Sequence, residues 1–235
     1  GAISRELANR NHAIAVCDYS LPAAQAVAES IVSMSFNAKA FFVNVRSNDS
    51  IAELKQAVLK EFGQVDTFVY AAGGSARGDI SMLVDIKPEV LDNVIGVNLI
   101  GAIYSTKVFL PEMMAQKSGR IIYIASILGL NGMARSSEYS AAKGGIISMT
   151  KALAKELGPY GINVNCISPG LVPRKEQMTE QQLKMMAGKS YVNRVTMPED
   201  IAGVVGFLAS EAGNVIVGQN YIVDGGRSLA NKGDD

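Results

Sequence analysis

Three side chains in the middle of the chain, Ser126, Tyr139 and Lys143, have types and spacing that suit proton transfer. Tyr139 and Lys143 are four residues apart in a segment of helical periodicity, so the phenol and the ammonium are predicted to share one helix face. A nearby cation favours phenolate over phenol, which brings the ordinary tyrosine pKa of about 10 towards neutral pH. Such a general acid/base suits the interconversion of an alcohol and a carbonyl, although the same pair also fits a surface tyrosine and a solvated lysine.

The elements that must position these groups alternate between strand-like and helix-like segments. Apolar, β-rich runs predict six strands, at residues 13–17, 40–45, 67–71, 120–125, 163–167 and 221–223. Helical periodicity predicts helices at residues 2–10, 22–34, 50–62, 88–116, 138–158 and 199–209. This order predicts an α/β fold in three layers, a doubly wound parallel sheet of the Rossmann type with helices on both faces. No repeat or linker is visible, so we expect one domain over residues 1–235.

The sequence opens on an unusual element for such a fold. Its first predicted element is a helix, whereas nucleotide-binding α/β folds open with a strand and a glycine-rich turn whose N–H groups hold a pyrophosphate. We therefore expect that the first strand and the glycine loop are absent from this sequence. Residues 1–235 alone would then lack a large part of the phosphate site.

Composition and charge narrow the possible partners. Lys plus Arg and Asp plus Glu both number 22, and no basic cluster predicts nucleic-acid binding. We expect no membrane partner, because no apolar run approaches the roughly 20 residues that a membrane helix needs. Cys17 and Cys166 lie in apolar runs and are expected to be buried, which favours a reducing, cytoplasmic setting. No set of His, Cys, Asp and Glu has metal-ligand spacing, so no metal is expected.

Five motifs in order resemble the short-chain dehydrogenase/reductase family over essentially the whole chain. Ser126 with Tyr139-Ser-Ala-Ala-Lys143 resembles the family's active-site signature, and Asn98 resembles its fourth catalytic residue. Residues 163–170 resemble the family's strand and Pro-Gly turn. Residues 198–201 and 223–226 resemble its two C-terminal signatures. The resemblance implies an NAD(P)-dependent enzyme that interconverts a small secondary alcohol and a ketone.

The resemblance also implies a role for each site residue. Tyr139 is expected to exchange the proton, Lys143 to favour the phenolate and bind the nicotinamide ribose, and Ser126 to orient the substrate oxygen. Asn98 is expected to hold a water that links Lys143 to solvent; alternatively, it satisfies backbone groups at a helix bend. Together with Tyr139 and Lys143, the expected cofactor contacts are Asp18, Asn44, Val45, Ala71, Ala72, Gly73, Pro169, Gly170 and Val172.

Asp18 decides the expected cofactor. At the end of a strand, its carboxylate can accept hydrogen bonds from the adenosine ribose and would repel the 2′-phosphate of NADP. We therefore expect NAD(H), unless Asp18 only caps the next helix, for which Ser20 is also suited. The chain departs from the family's usual residues at Asn44, Tyr70, Ala71 and Arg174. Arg174 fits either an acidic substrate group or the surface.

The substrate is expected under a lid formed by residues 171–195, beside Leu128, Met133 and Leu171. These apolar side chains favour a partly hydrophobic substrate. Two alternatives stay open, an NADPH-dependent 3-oxoacyl carrier-protein reductase and a catalytically idle nucleotide-binding scaffold. The resemblance further implies a homotetramer assembled through the helices predicted at residues 88–116 and 138–158.

Overall fold

A computed structural model describes residues 1–75, 80–173 and 178–229. Its strands are β1 (Ile14–Asp18), β2 (Ala38–Phe42), β3 (Thr67–Tyr70), β4 (Gly119–Ile124), β5 (Ile162–Pro169) and β6 (Asn220–Val223). Its α-helices are α1 (Ala2–Asn9), α2 (Leu21–Val32), α3 (Asn48–Phe62), α4 (Pro88–Ile95), α5 (Gly101–Gln116), α6 (Leu128–Asn131), α7 (Ser137–Leu157), α8 (Glu180–Gly188) and α9 (Pro198–Ala209). All six predicted strands are confirmed, with ends that shift by a few residues.

The strands form two parallel ladders instead of the single sheet that we expected. One ladder pairs β1 with β2, and the other runs in the order β3-β4-β5-β6. Among the described residues no ladder joins β1 to β3. Side chains of both ladders nevertheless share their cores: Ile14 packs in one cluster with Ile122 and Ile167, and Ala15 packs in another with Phe68. The strands therefore occupy one layer with a break in its hydrogen bonding.

Helices cover both faces of this layer, as the sequence predicts. Buried residues of α1, α2 and α9, among them Leu7, Ala28 and Val205, pack on one face. Helices α3, α5 and α7 cover the other face with residues that include Ile51 and Ile146. The three-layer α/β architecture of the Rossmann type is therefore confirmed.

The helix predicted at residues 88–116 changes its hydrogen-bond spacing in the middle. A π turn over Gly96–Ile100 separates α4 from α5, and the Gly101 N–H bonds to the Gly96 carbonyl. The stretch Pro88–Gln116 is also long and apolar enough to cross a membrane, since an 18-residue window within it has a mean hydropathy of 1.4, so the expectation that no segment reaches that length was wrong. Ala102 and Met113 are fully buried against the sheet, which is how a core helix passes the same test.

Two further expectations need correction. Cys166 is buried, but Cys17 is exposed, because β1 is buried only at its start and its last two residues lie outside the core. The predicted lid contains α8, which the sequence analysis did not identify. A capping box marks its beginning, since Thr179 and Gln182 bond reciprocally to each other's backbone N–H groups.

Candidate active site

Ser126 lies just beyond the carboxyl end of β4, on a backbone tied to β5. The Ile127 N–H donates to the Pro169 carbonyl over 3.1 Å. The Ser126 hydroxyl accepts a hydrogen bond of 3.2 Å from the Leu128 N–H, at the start of α6. Ser126 is buried, so its hydroxyl has a fixed place beside the turn that follows β5.

Tyr139 and Lys143 share one face of α7, as the spacing predicts. The Lys143 ammonium lies 5.8 Å from the centroid of the Tyr139 ring. It donates a hydrogen bond of 2.7 Å to the carbonyl of Ile124, the last residue of β4. Lys143 is only 4% exposed, and this burial lowers its pKa to about 8. The bond to Ile124 brings the helix that carries the tyrosine and the lysine to the strand end that precedes Ser126.

The close contact between α6 and α7 depends on Gly129, whose importance the sequence analysis did not identify. A Cβ on Gly129 would lie 2.6 Å from the carbonyl carbon of Lys143 and 2.7 Å from the Gly144 nitrogen. Since those atoms belong to the backbone of α7, only glycine allows this approach. The glycine in the Ser126-Ile-Leu-Gly129 run was the available signal.

Asn98 lies in the π turn, with its side chain 1% exposed. Its amide nitrogen donates to the Gly74 and Val94 carbonyls, each over 2.9 Å, and its amide oxygen accepts from the Gly74 N–H at 3.1 Å. The side chain therefore satisfies backbone groups, which is one of the two roles considered above. The water relay stays a prediction.

Gly73 lies close to both Asn98 and Lys143. A Cβ on Gly73 would lie 2.2 Å from the amide oxygen of Asn98 and 3.4 Å from the ammonium nitrogen of Lys143. Gly73 also has a φ of 141°, which side-chain-bearing residues rarely adopt. The structure thus brings Asn98, Lys143 and the loop after β3 into one cluster.

The predicted cofactor residues lie at or just after the carboxyl ends of four strands, where α/β folds of this kind bind their ligands. They are Asp18 at the end of β1, Asn44 and Val45 after β2, Ala71, Ala72 and Gly73 after β3, and Pro169, Gly170 and Val172 at the end of β5. The two ladders meet here, since a Cβ on Gly101 would contact both the Val45 carbonyl and the hydroxyl of Tyr70.

The Asp18 carboxylate can both bond to the start of the next helix and bind a ligand. Its Oδ1 accepts a hydrogen bond of 2.8 Å from the Ser20 N–H, but the cap of α2 is Ser20, whose hydroxyl accepts from the Ala23 N–H. The side chain of Asp18 is exposed, and within the described part of the chain Oδ2 has no hydrogen-bond donor. One carboxylate oxygen thus remains available to a ligand.

The amide oxygen of Asn44 is already engaged by the protein. It accepts from the Arg46 N–H at 3.0 Å, and the Asn44 N–H donates to the Ser50 hydroxyl. A ligand would therefore meet the amide nitrogen of Asn44, or the backbone of Val45.

The predicted substrate residues surround the same region from two sides. Leu128 is half-buried in α6, whereas Met133 and Leu171 are exposed at 40% and 43%. Leu171 lines a small cavity together with Met186 of α8, so α8 lies close to the turn that follows β5. Arg174, for which the sequence left two roles open, lies outside the described residues.

The fold and these side chains together define a class of protein. Loops at the carboxyl edge of a parallel α/β sheet surround a phenol, a buried ammonium and a strand-end hydroxyl. In the part of the chain that the structure describes, no group of three or more His, Cys, Asp or Glu side chains is placed to hold a metal. These features are typical of an α/β oxidoreductase.

Comparisons with known proteins give the family. Residues 1–228 match the family model described as enoyl-(acyl carrier protein) reductase. The 3-oxoacyl-[acyl-carrier-protein] reductase of Thermotoga maritima is 35% identical over 188 residues, 79% of this chain and 75% of that protein. The corresponding reductase of Synechocystis sp. is 37% identical over 206 residues, 87% and 81% of the two chains. The 7alpha-hydroxysteroid dehydrogenase of Bacteroides fragilis is 27% identical over 231 residues, 97% and 89% of the two chains.

The chain belongs to the short-chain dehydrogenase/reductase family, and it is an oxidoreductase for substrates of the CH–OH or ketone type. The resemblance inferred from the motifs is confirmed.

The low pKa of Lys143 predicts a particular dependence of stability on pH. Burial holds the pKa at about 8 in the folded protein, against 10.5 ordinarily, so between these pH values the unfolded chain binds more protons. The free energy of unfolding of the wild type, relative to that of Lys143→Met, should therefore rise as the pH increases from 8 to 10.5. Denaturant unfolding across this range measures it.

Lys184→Met is the matched control, since that lysine is exposed on α8. The free energy of unfolding of Lys184→Met should change with pH in the same way as that of the wild type. Parallel curves for the wild type and Lys143→Met would contradict the lowered pKa.

Proposed function

We propose that the protein is an NAD(H)-dependent oxidoreductase that interconverts a secondary alcohol and a ketone, with Tyr139 as the general acid/base. The observation that carries this proposal is the buried ammonium of Lys143, held at the end of β4 and 5.8 Å from the Tyr139 ring. Because its pKa of about 8 is above neutral pH, Lys143 is mostly charged there and favours the phenolate form of its neighbour.

Tyr139, Ser126 and Asn98 have separate roles in the proposed proton transfer. In the direction of reduction, the Tyr139 hydroxyl donates its proton to the oxygen of the ketone, while the Ser126 hydroxyl orients that oxygen. In the direction of oxidation, the Tyr139 phenolate takes the proton of the alcohol. We assign to Asn98 the support of the loop beside Lys143, together with the predicted water that connects the ammonium to solvent. A bound nicotinamide supplies or accepts the hydride.

The side chains at the carboxyl edge fit a dinucleotide. Oδ2 of Asp18 is available for a ribose hydroxyl, and Gly73 leaves room for close approach beside Lys143. The same carboxylate disfavours the 2′-phosphate of NADP, which supports NAD(H). Val45, Ala71, Ala72, Pro169, Gly170 and Val172 would contribute mainly backbone and apolar contacts.

Two other functions compete with this proposal. The names of the Thermotoga and Synechocystis relatives favour an NADPH-dependent 3-oxoacyl carrier-protein reductase as the second candidate. A catalytically idle nucleotide-binding scaffold is the third, suggested by the departures at Asn44, Tyr70, Ala71 and Arg174. The full set of Asn98, Ser126, Tyr139 and Lys143 argues against the idle scaffold.

We also propose a single catalytic domain over residues 1–235 that acts in the cytoplasm, with residues 171–195 as its substrate lid. The proposed lid contains α8. Near its end, the Tyr191 N–H and the Ser190 hydroxyl both donate hydrogen bonds to the Gly225 carbonyl. Leu128, Met133 and Leu171 would then meet the apolar part of the substrate.

Tyr139→Phe tests the catalytic proposal. With NADH and a panel of ketones that includes a 3-oxoacyl thioester and an oxosteroid, kcat/KM should fall about 100-fold or more, because the general acid is lost. Binding of NADH, followed by nicotinamide fluorescence, should be retained. Tyr104→Phe, a change at a partly exposed tyrosine of α5, is the control and should keep full activity. Unchanged turnover in Tyr139→Phe would favour the idle scaffold.

Asp18→Ala tests the choice of cofactor. Loss of the carboxylate should narrow the preference for NADH over NADPH, measured as the ratio of the two kcat/KM values. Ser20→Ala is the matched control, because it removes the cap of α2 and keeps the carboxylate. It should cost about 1 kcal/mol of stability and leave the ratio unchanged. If both variants change the ratio equally, Asp18 has only a structural role.

A homotetramer is the expected assembly, and α5 and α7 present a suitable surface. An apolar groove of ≈ 540 Å³ between them is lined by Leu99, Ile103, Leu110, Met149 and Leu153, among others. Gly145 on α7 lines this groove, and its lack of a side chain would let the helices of a second copy approach closely.

Ile103→Glu should disrupt this assembly, because it places a charge in the apolar groove. Light scattering should show a tetramer for the wild type and a smaller species for the variant. Val32→Glu, at an exposed apolar residue of α2, is the control and should remain tetrameric. A monomeric wild type at micromolar concentration would overturn the proposed assembly.

A further inference from the structure

Tyr70, the last residue of β3, is a buried tyrosine to which the proposed reaction gives no role. It is 4% exposed, and its hydroxyl donates a hydrogen bond of 2.6 Å to the Val97 carbonyl. Burial raises the pKa of Tyr70 well above its usual range, so the hydroxyl keeps its proton at neutral pH. Tyr70 is therefore a constant donor to the helical segment that contains Asn98.

The π turn takes away the usual α-helical donor of the Val97 carbonyl. In a regular α-helix it would accept a hydrogen bond from the N–H of Gly101. Here the Gly101 N–H bonds to the Gly96 carbonyl, five residues back, which is the spacing of a π turn. The hydroxyl of Tyr70 thus replaces an N–H that the turn has redirected.

The space around Gly101 is fitted to the same hydroxyl. A Cβ on Gly101 would lie 2.6 Å from the Tyr70 hydroxyl oxygen and 2.9 Å from the Val45 carbonyl oxygen. The phenol, the glycine and the backbone that follows β2 are therefore in contact. This packing leaves the turn little freedom to change its spacing.

The position of the turn matters because Asn98 projects from it. The three hydrogen bonds of Asn98 go to Gly74 and Val94, and Gly73 lies against both the amide oxygen of Asn98 and the ammonium of Lys143. A shift of the turn would therefore move the loop that borders Lys143.

We propose that Tyr70 is a positioning residue, whose hydroxyl fixes the π turn and thereby holds Asn98 and the Gly73–Gly74 loop beside Lys143. The role rests on the proposed function, because it serves the proton transfer assigned to Tyr139 and Lys143. It also gives a role to Tyr70, one of the positions at which the chain departs from the family's usual residues.

Tyr70→Phe tests the proposal by removing one hydroxyl and no other atom. Hydrogen exchange measured by mass spectrometry should become faster for peptides that cover residues 96–102. With the ketone substrate and NADH, kcat should fall about fivefold to tenfold, the effect of one hydrogen bond, while KM stays the same. The midpoint of the pH profile of kcat should shift as well, since the surroundings of Lys143 change.

Tyr123→Phe is the matched control. Tyr123 is another fully buried tyrosine on the same face of the sheet, and its hydroxyl forms a hydrogen bond of 2.7 Å with Thr106. This variant also loses one buried hydroxyl, but it leaves the contacts of Asn98 intact. It should lose stability to a similar degree without changing exchange at residues 96–102, kcat or the pH profile.

Different outcomes of these measurements would overturn the role of Tyr70 and the proposed oxidoreductase function. Unchanged exchange and an unchanged pH profile in Tyr70→Phe would overturn the role of Tyr70, and so would equal changes in Tyr123→Phe. A wild-type protein without turnover would overturn the proposed function, and the exchange at residues 96–102 would still decide whether Tyr70 fixes the turn.

Discussion

The hydrogen bond from the Lys143 ammonium to the Ile124 carbonyl is the contact on which the rest of the site depends. A buried ammonium is costly unless it has hydrogen-bond acceptors, and this carbonyl is the acceptor that the end of β4 provides. The bond fixes α7 against the sheet and therefore sets the position of Tyr139. Burial lowers the pKa of this ammonium only to about 8, so Lys143 is both buried and mostly charged at neutral pH.

Close approach of backbone to backbone is the second constraint. Gly129 lets α6 contact α7 at Lys143, and Gly73 lets the loop after β3 lie close to both Asn98 and the same ammonium. Any side chain at these positions would overlap neighbouring atoms. The π turn contributes in the same way, because it redirects one helical N–H and leaves a carbonyl for Tyr70. Tyr139 and Lys143 are thus held by backbone geometry as much as by their own contacts.

Much of the fold could be predicted from residue patterns. The six strands are short apolar runs bounded by polar residues, and such runs depend on local sequence. The break between β1 and β3 could not be predicted, since pairing depends on which strands become neighbours. Helix α8 was missed although Thr179 and Gln182 form a capping box, and Cys17 was expected to be buried because periodicity does not show where a strand leaves the core.

The sequence by itself determined the family, the α/β architecture and the pairing of Tyr139 with Lys143, because motif order and a spacing of four residues on a helix are properties of the chain. Only the tertiary structure decided that Lys143 is buried against Ile124, that the Asn98 side chain bonds to Gly74, and that Tyr70 reaches the π turn. Those contacts join residues far apart in the sequence. The packing of helices on the sheet creates these contacts, and no local sequence pattern encodes that packing.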